Sequence, residues 1–158
     1  GLANRRHFLN EAQRRMTLMR PSQQLGLALI DLDHFKRIND LYGHAAGDEV
    51  LQGFANLARN SVRDGDLVAR FGGEEFVILL GNSNPEALFN CIERLRIAFA
   101  ALDFDSLPEG VHCTLSAGLA SICPEDDLEV CLNDADQALY QAKDAGRNRC
   151  ELHQPSYV

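Results

Sequence analysis

The sequence predicts a mixed α/β domain, a central sheet flanked by helices. Three observations carry that reading. Segments with apolar residues every three or four positions alternate with short apolar runs, in the order α-β-α-α-β-β-α-β-α-β. Two of the short runs, 67–71 and 75–80, flank the pair Gly72-Gly73 as a hairpin, so antiparallel pairs join the crossovers. The chain has 158 residues, 46% of them hydrophobic and 24% charged, which suits one domain around one core.

Each element follows from local pattern. Residues 2–19 place Phe8, Ala12, Met16 and Met19 at helical spacing, and Pro21 closes that helix. Gly26–Leu32 is a short Leu/Ile-rich run and reads as a buried strand. His34–Leu41 is a short helix broken by Gly43, and Ala45–Val62 carries a second amphipathic pattern through Val50, Leu51, Phe54, Leu57 and Ala58. After the hairpin, Asn82-Ser83-Asn84-Pro85 leads into a helix to about Leu102, with Pro85 in its first turn. Val111–Ser121 alternates as a strand with Gly118 inside it. Asp126–Ala145 is a helix with Gly146 as its closing residue, and Arg149–Leu152 adds an edge strand. One domain over 1–153 and a frayed tail over 154–158 are expected.

Composition removes several classes of function. No run reaches the roughly 18 apolar residues of a membrane-crossing helix, no signal peptide is visible, and no membrane contact is expected from this segment. The net charge of −8 argues against non-specific nucleic-acid binding. Cys91, Cys113, Cys123, Cys131 and Cys150 are odd in number and form no CxxC pair, so they read as reduced thiols of a cytoplasmic protein. Only two of the 15 basic residues are lysine, Lys36 and Lys143, and each lies in a chemistry-bearing segment.

The hairpin turn Phe71-Gly72-Gly73-Glu74-Glu75-Phe76 sets two carboxylates beside two glycines. Fold stability does not call for paired acids there, whereas a metal ion or a proton transfer does. Asp31 and Asp33 stand at the end of the first strand, where ligand crevices of α/β folds open, with no basic partner beside them in sequence. An EF-hand is excluded, because Phe35 takes a ligand position and Lys36 stands where glycine is required. Lys36 is a point charge suited to phosphate, and the amides of His34 and Phe35 open a helix as a phosphate cradle. Asn39 and Asp48 offer the donors and acceptors that read a guanine edge, or else they cap helices. Lys143 and Arg147 share a face at a helix C-terminus, where they clamp phosphates or simply complement the helix dipole. Together these residues describe a nucleotide site for metal-assisted phosphoryl or nucleotidyl transfer.

Several long motifs occur in fixed order: Gly1-Leu2-Ala3-Asn4-Arg5-Arg6, the run Asp31–Asp48, Gly72-Gly73-Glu74-Glu75-Phe76, Thr114–Gly118, and Ala135–Tyr140 continuing to Asn148. On these the chain resembles the GGDEF-domain diguanylate cyclases over nearly its full length, with the GGEEF form of the signature. The resemblance implies a fold like the nucleotidyl cyclase and polymerase palm domains, with the signature on a β-hairpin. It implies condensation of two GTP into cyclic di-GMP and two pyrophosphates across a homodimer of domains. By the same resemblance Asp31, the Leu32 carbonyl and Glu74 hold Mg2+, with Mn2+ as the alternative ion. Asn39 and Asp48 read guanine, His44 lies beside the nucleotide, and Gly72 and Gly73 give close approach. Lys36, Lys143 and Arg147 hold phosphates, and Glu74 accepts the 3′-hydroxyl proton, with Glu75 in a separate role because chain neighbours face opposite ways.

The resemblance also implies a product-inhibition site at Arg63 and Asp66, with Arg94 as its second arginine. It implies an upstream sensor or regulatory region outside this chain, through which the full-length protein could be membrane-anchored. The rival readings are a GGDEF-like module that binds GTP or cyclic di-GMP without chemistry, and a mononucleotide cyclase; Asn39 and the signature hairpin argue against the second.

Overall fold

The computed structural model describes residues 2–154. Its elements are α1 (Arg5–Thr17), β1 (Leu25–Leu32), α2 (Phe35–Tyr42), α3 (His44–Ser61), β2 (Leu67–Arg70), β3 (Glu75–Leu80), α4 (Pro85–Ala100), β4 (Leu115–Ile122), α5 (Leu128–Asp144) and β5 (Arg149–Leu152). The order agrees with the expected one. The fourth strand begins at Leu115 rather than Val111, because the chain from Pro108 first closes a turn, Val111 N–H to Pro108 O at 3.0 Å. Of the expected tail, residues 155–158 lie outside the described part, while His153 N–H still donates to Leu119 O at 2.7 Å.

The five strands form one sheet in the order β2-β3-β1-β4-β5. β1 is antiparallel to both β3 and β4, β2 and β3 form the hairpin, and β4 runs parallel to β5. A parallel pair needs a crossover, and α5 supplies it. Both faces are covered. Ala28, Ile30, Leu32, Phe76 and Ile78 pack toward α2, α3 and α4, with Phe54 between Phe76 and Phe99 at ring distances of 4.6 and 5.3 Å. Leu25, Leu27, Val77, Leu79 and Ile122 pack toward α1 and α5 on the other face. Burial on both faces is why β1 reads as an unbroken apolar run.

The helix ends follow the sequence chemistry. Asn4 caps α1 by accepting from His7 N–H at 2.9 Å. Asn84 caps α4 through Ala87 N–H at 2.8 Å, with Pro85 in the first turn where its missing N–H costs nothing. The five cysteines are unpaired thiols. Burial pushes Cys113 and Cys131 up to about 12 and raises Cys150 as well, so these thiols resist ionisation and behave as small apolar side chains.

Gly118 is the point where β4 and α5 touch backbone to backbone. A Cβ there would stand 2.0 Å from Ala135 O and 2.2 Å from Leu139 N. Neither atom can yield without moving the helix. Gly118→Ala is expected to destabilise the domain by about 3 kcal/mol or more, read as a lowered urea midpoint.

Candidate active site

The ends of β1, β3 and β4 meet at one edge of the sheet, and register decides what stands there. Asp31 lies opposite Glu75 on one side and Ser116 on the other. The signature turn closes through Phe71 N–H and Gly72 N–H, both donating to Glu75 O at 2.8 and 3.3 Å. Leu32 N–H donates to Glu74 O at 3.2 Å, which seats Glu74 directly against the end of β1.

Glu74 and Glu75 take separate environments. Glu74 lines an open cleft of about 440 Å3 with Lys36, Asn39, His44, Asp48, Arg70 and Gly73. Glu75 lines a cavity of about 230 Å3 on the α1/α5 face, with Arg5, Phe71 and Asp136. Arg5 stacks over the Phe71 ring at 4.6 Å from its centroid, which anchors that side of the turn.

Asp31 has a basic partner that local sequence does not reveal. Its carboxylate is ion-paired with Lys143 of α5, 112 residues away, and the Asp31 side chain is only 12% exposed. Asp31 and Glu74 therefore flank the end of β1 from different sides, one toward α5 and the other in the cleft below α2 and α3. Among the described residues no three His, Cys, Asp or Glu side chains converge as a closed metal cage. Carboxylates and a backbone carbonyl are hard oxygen donors of the kind Mg2+ takes.

The helix-cap readings fall away. Asp48 lies inside α3, whose cap residue is Gly43, and Asn39 lies inside α2, so neither side chain caps a helix end. The Asn39 amide instead lies over Gly47, where an added Cβ would be 1.8 Å from Asn39 Oδ1. His34 sits at the start of α2 with φ 54° and makes no side-chain cap bond, leaving the first amides of α2 to other acceptors. Lys143 is in the last turn of α5, whereas Arg147 lies beyond the helix with φ 65°.

Two further residues shape the site: Arg70, which the sequence reading did not single out, and Asp33, to which it gave no role of its own. Arg70 donates through Nε to Gly72 O at 3.0 Å and through Nη2 to Gly73 O at 2.6 Å, gripping the turn that carries Glu74. Its place just before the hairpin glycines is the available sequence signal. Asp33 is 5% exposed and accepts from Thr114 Oγ1 and Ser116 Oγ, each at 2.7 Å. Nothing local marks it apart from Asp31.

Arg63 and Asp66 lie at the opposite end of the hairpin from the signature. Asp66 accepts from Arg63 N–H and Gly81 N–H, both at 2.9 Å, and its side chain is 5% exposed. Arg63 reaches Gly81 O at 2.8 Å and stays exposed. Asp66 thus spends its oxygens on the backbone and holds Arg63 in place. Arg94 joins them around Cys91: burial raises that thiol, and the charge of Arg94 opposes the rise, as that of Arg63 does more weakly.

The fold defines the class, a palm-like cyclase domain with a mixed five-stranded sheet. Residues 1–149 match the family model "Diguanylate cyclase, GGDEF domain", and the chain belongs to that family. It is 44% identical over 153 residues to diguanylate cyclase DgcP of Pseudomonas aeruginosa, covering 96% of this chain and 23% of that protein. It is 41% identical over 150 residues to DgcM of Escherichia coli, covering 94% of this chain and 36% of that protein. The chain thus spans well under half the length of these relatives. Among solved structures, the active GGEEF domain of a Vibrio cholerae diguanylate cyclase superposes with TM-score 0.89 at 39% identity, covering 99% of this chain and 100% of that one. The GGDEF domain of DgcB from Caulobacter crescentus, solved with c-di-GMP, gives TM-score 0.90 at 31% identity, covering 98% and 92%.

The contact at Gly47 gives a direct check on the cleft. Gly47→Ala is expected to leave the fold intact, within about 1 kcal/mol, because the nearest atoms, Asn39 Oδ1 at 1.8 Å and Cγ at 2.9 Å, belong to a side chain that can turn away, the Phe35 ring at 3.1 Å need give only slightly, and alanine favours helix. The Asn39 amide resonances should shift in a heteronuclear NMR spectrum, and unchanged resonances would show that the amide does not rest there.

Proposed function

We propose that this domain is a diguanylate cyclase half-site that condenses two GTP into cyclic di-GMP with release of two pyrophosphates. The observation that carries the reading is the 440 Å3 cleft lined by Lys36, Asn39, His44, Asp48 and Glu74, with the Asp31–Lys143 pair on the other side of the same strand end. That set combines base-reading groups, phosphate-holding cations and an acid at the reacting end.

Asn39 and Asp48 read the guanine edge, and His44 packs beside the nucleotide. Lys36 and the amides of His34 and Phe35 hold phosphate oxygens, and Gly72 and Gly73 let the nucleotide approach the turn. Lys143 exchanges Asp31 for a phosphate as the nucleotide arrives, with Arg147 as its companion. Asp31, the Leu32 carbonyl and Glu74 would hold Mg2+ (or Mn2+). Bound there, the ion neutralises charge that develops on phosphate oxygens. Glu74 accepts the proton of the 3′-hydroxyl as that oxygen attacks the α-phosphorus of the partner GTP. Pyrophosphate leaves in line, and the mirror-image step closes the ring. Positioning and electrostatics supply most of the acceleration.

One GTP occupies one domain, so a homodimer of domains forms the full site. Its rate should rise faster than linearly with protein at low concentration. Arg63 and Arg94 form the product-inhibition site, gripping guanine O6 and N7 through paired hydrogen bonds, while Asp66 fixes Arg63.

Incubation with GTP and magnesium, followed by mass analysis, is expected to yield cyclic di-GMP; cyclic GMP or unchanged GTP would overturn the proposal. Glu74→Gln preserves size but removes the basic oxygen, and product formation should fall at least ~10²-fold. Arg63→Ala should abolish cyclic di-GMP binding in calorimetry while turnover at low product persists. Undiminished binding would refute the inhibitory site.

A further inference from the structure

The turn between α5 and β5 places two successive non-glycine residues in the left-handed region, Arg147 at φ 65° and Asn148 at φ 48°. Such conformations are strained and persist where their surroundings over-determine them. Closing the helix does not require both. α5 already ends through Ala145 N–H to Gln141 O at 2.9 Å, Gly146 N–H to Lys143 O at 3.3 Å and Arg147 N–H to Ala142 O at 2.9 Å.

Two groups from distant elements act on the next residue. The Asp33 carboxylate accepts from Asn148 N–H at 3.0 Å. Arg96 of α4 donates to Asn148 Oδ1 at 2.8 Å and to its carbonyl at 3.4 Å. Both anchors are themselves fixed. Asp33 is buried and accepts from Thr114 Oγ1 and Ser116 Oγ. Arg96 is ion-paired with Glu93, its Nε donating to Oε2 at 3.0 Å. Asn148 is thus held from both sides, and the residue just before it is Arg147.

We infer that Asp33 is a positioning residue which, through Asn148 and with Arg96 as second anchor, sets the grip of the adjoining Arg147 on the distal phosphates of the nucleotide. Asp33 touches neither substrate nor metal in this scheme. It differs in kind from Asp31, two residues earlier, whose carboxylate faces Lys143. The inference rests on the phosphate reading of Lys143 and Arg147 given above.

The test compares two ligands on the whole chain by calorimetry with magnesium present. One is GMP. The other is a GTP analogue with a methylene between the α- and β-phosphorus, which cannot react. The ratio of their affinities reports the grip on the distal phosphates, independent of guanine recognition. In Asp33→Asn the ratio should fall at least ~10-fold, as expected when charged groups are misplaced by about an ångström. GMP affinity should stay within about twofold of the native value. Arg96→Ala should move the ratio the same way by a smaller factor. Weakening of both ligands together, with the ratio unchanged, would mark Asp33 as merely structural and overturn the inference. Should Asp33→Asn fail to fold, Arg96→Ala decides, and an unchanged ratio there overturns it equally. If the native chain binds the analogue no tighter than GMP, the phosphate reading itself fails and takes the inference with it. The two failures are distinct, because a failure of the latch alone leaves the native ratio high.

Discussion

β1 is hydrogen-bonded along its length to β3 on one side and β4 on the other, and the register of these ladders decides which carboxylate faces which helix layer. Side chains alternate between faces, so a slip of one residue would move every group to the wrong side. The ladder opposite β3 sets Asp31 against Glu75 and brings Glu74 to Leu32. The same alternation fills both faces with apolar side chains, so the register is locked by two cores at once. The chemistry at the sheet edge inherits its precision from that packing.

The edge is built as two half-shells around the end of one strand. On the α2/α3 side, Glu74 shares an open cleft with Lys36, Asn39, His44 and Asp48. On the α5 side, Asp31 is ion-paired with Lys143, and Glu75 lines a cavity with Arg5 and Asp136. Opposite charges held this way keep a carboxylate at the strand end without an incoming ligand.

Rigidity comes from groups that do no chemistry. Arg70 ties the carbonyls of the signature turn, Asp33 ties three elements together, and Asp66 spends its oxygens on Arg63 and Gly81. Each is a charged side chain satisfied mainly by backbone or hydroxyl groups, an arrangement that fixes loops without tight ion pairs.

The sequence by itself determined the elements and their order, because the helical period of 3.6 and the short unbroken apolar runs of doubly covered strands are both written in neighbouring side chains. It also marked Lys36, Asn39, Asp48, Glu74 and Lys143 as a chemical set, through residue types at fixed spacing. It did not reveal that Lys143 pairs with Asp31, since 112 residues separate them. Nor did it divide Asp31 from Asp33: the two read alike in sequence, yet one faces Lys143 while the other is buried among Thr114, Ser116 and Asn148. The cap readings of Asn39 and Asp48 failed for a local reason, as both lie within helices whose ranges the sequence pattern already covers. Local pattern encodes what a residue can do; the partner it meets is fixed only when distant elements close on one core.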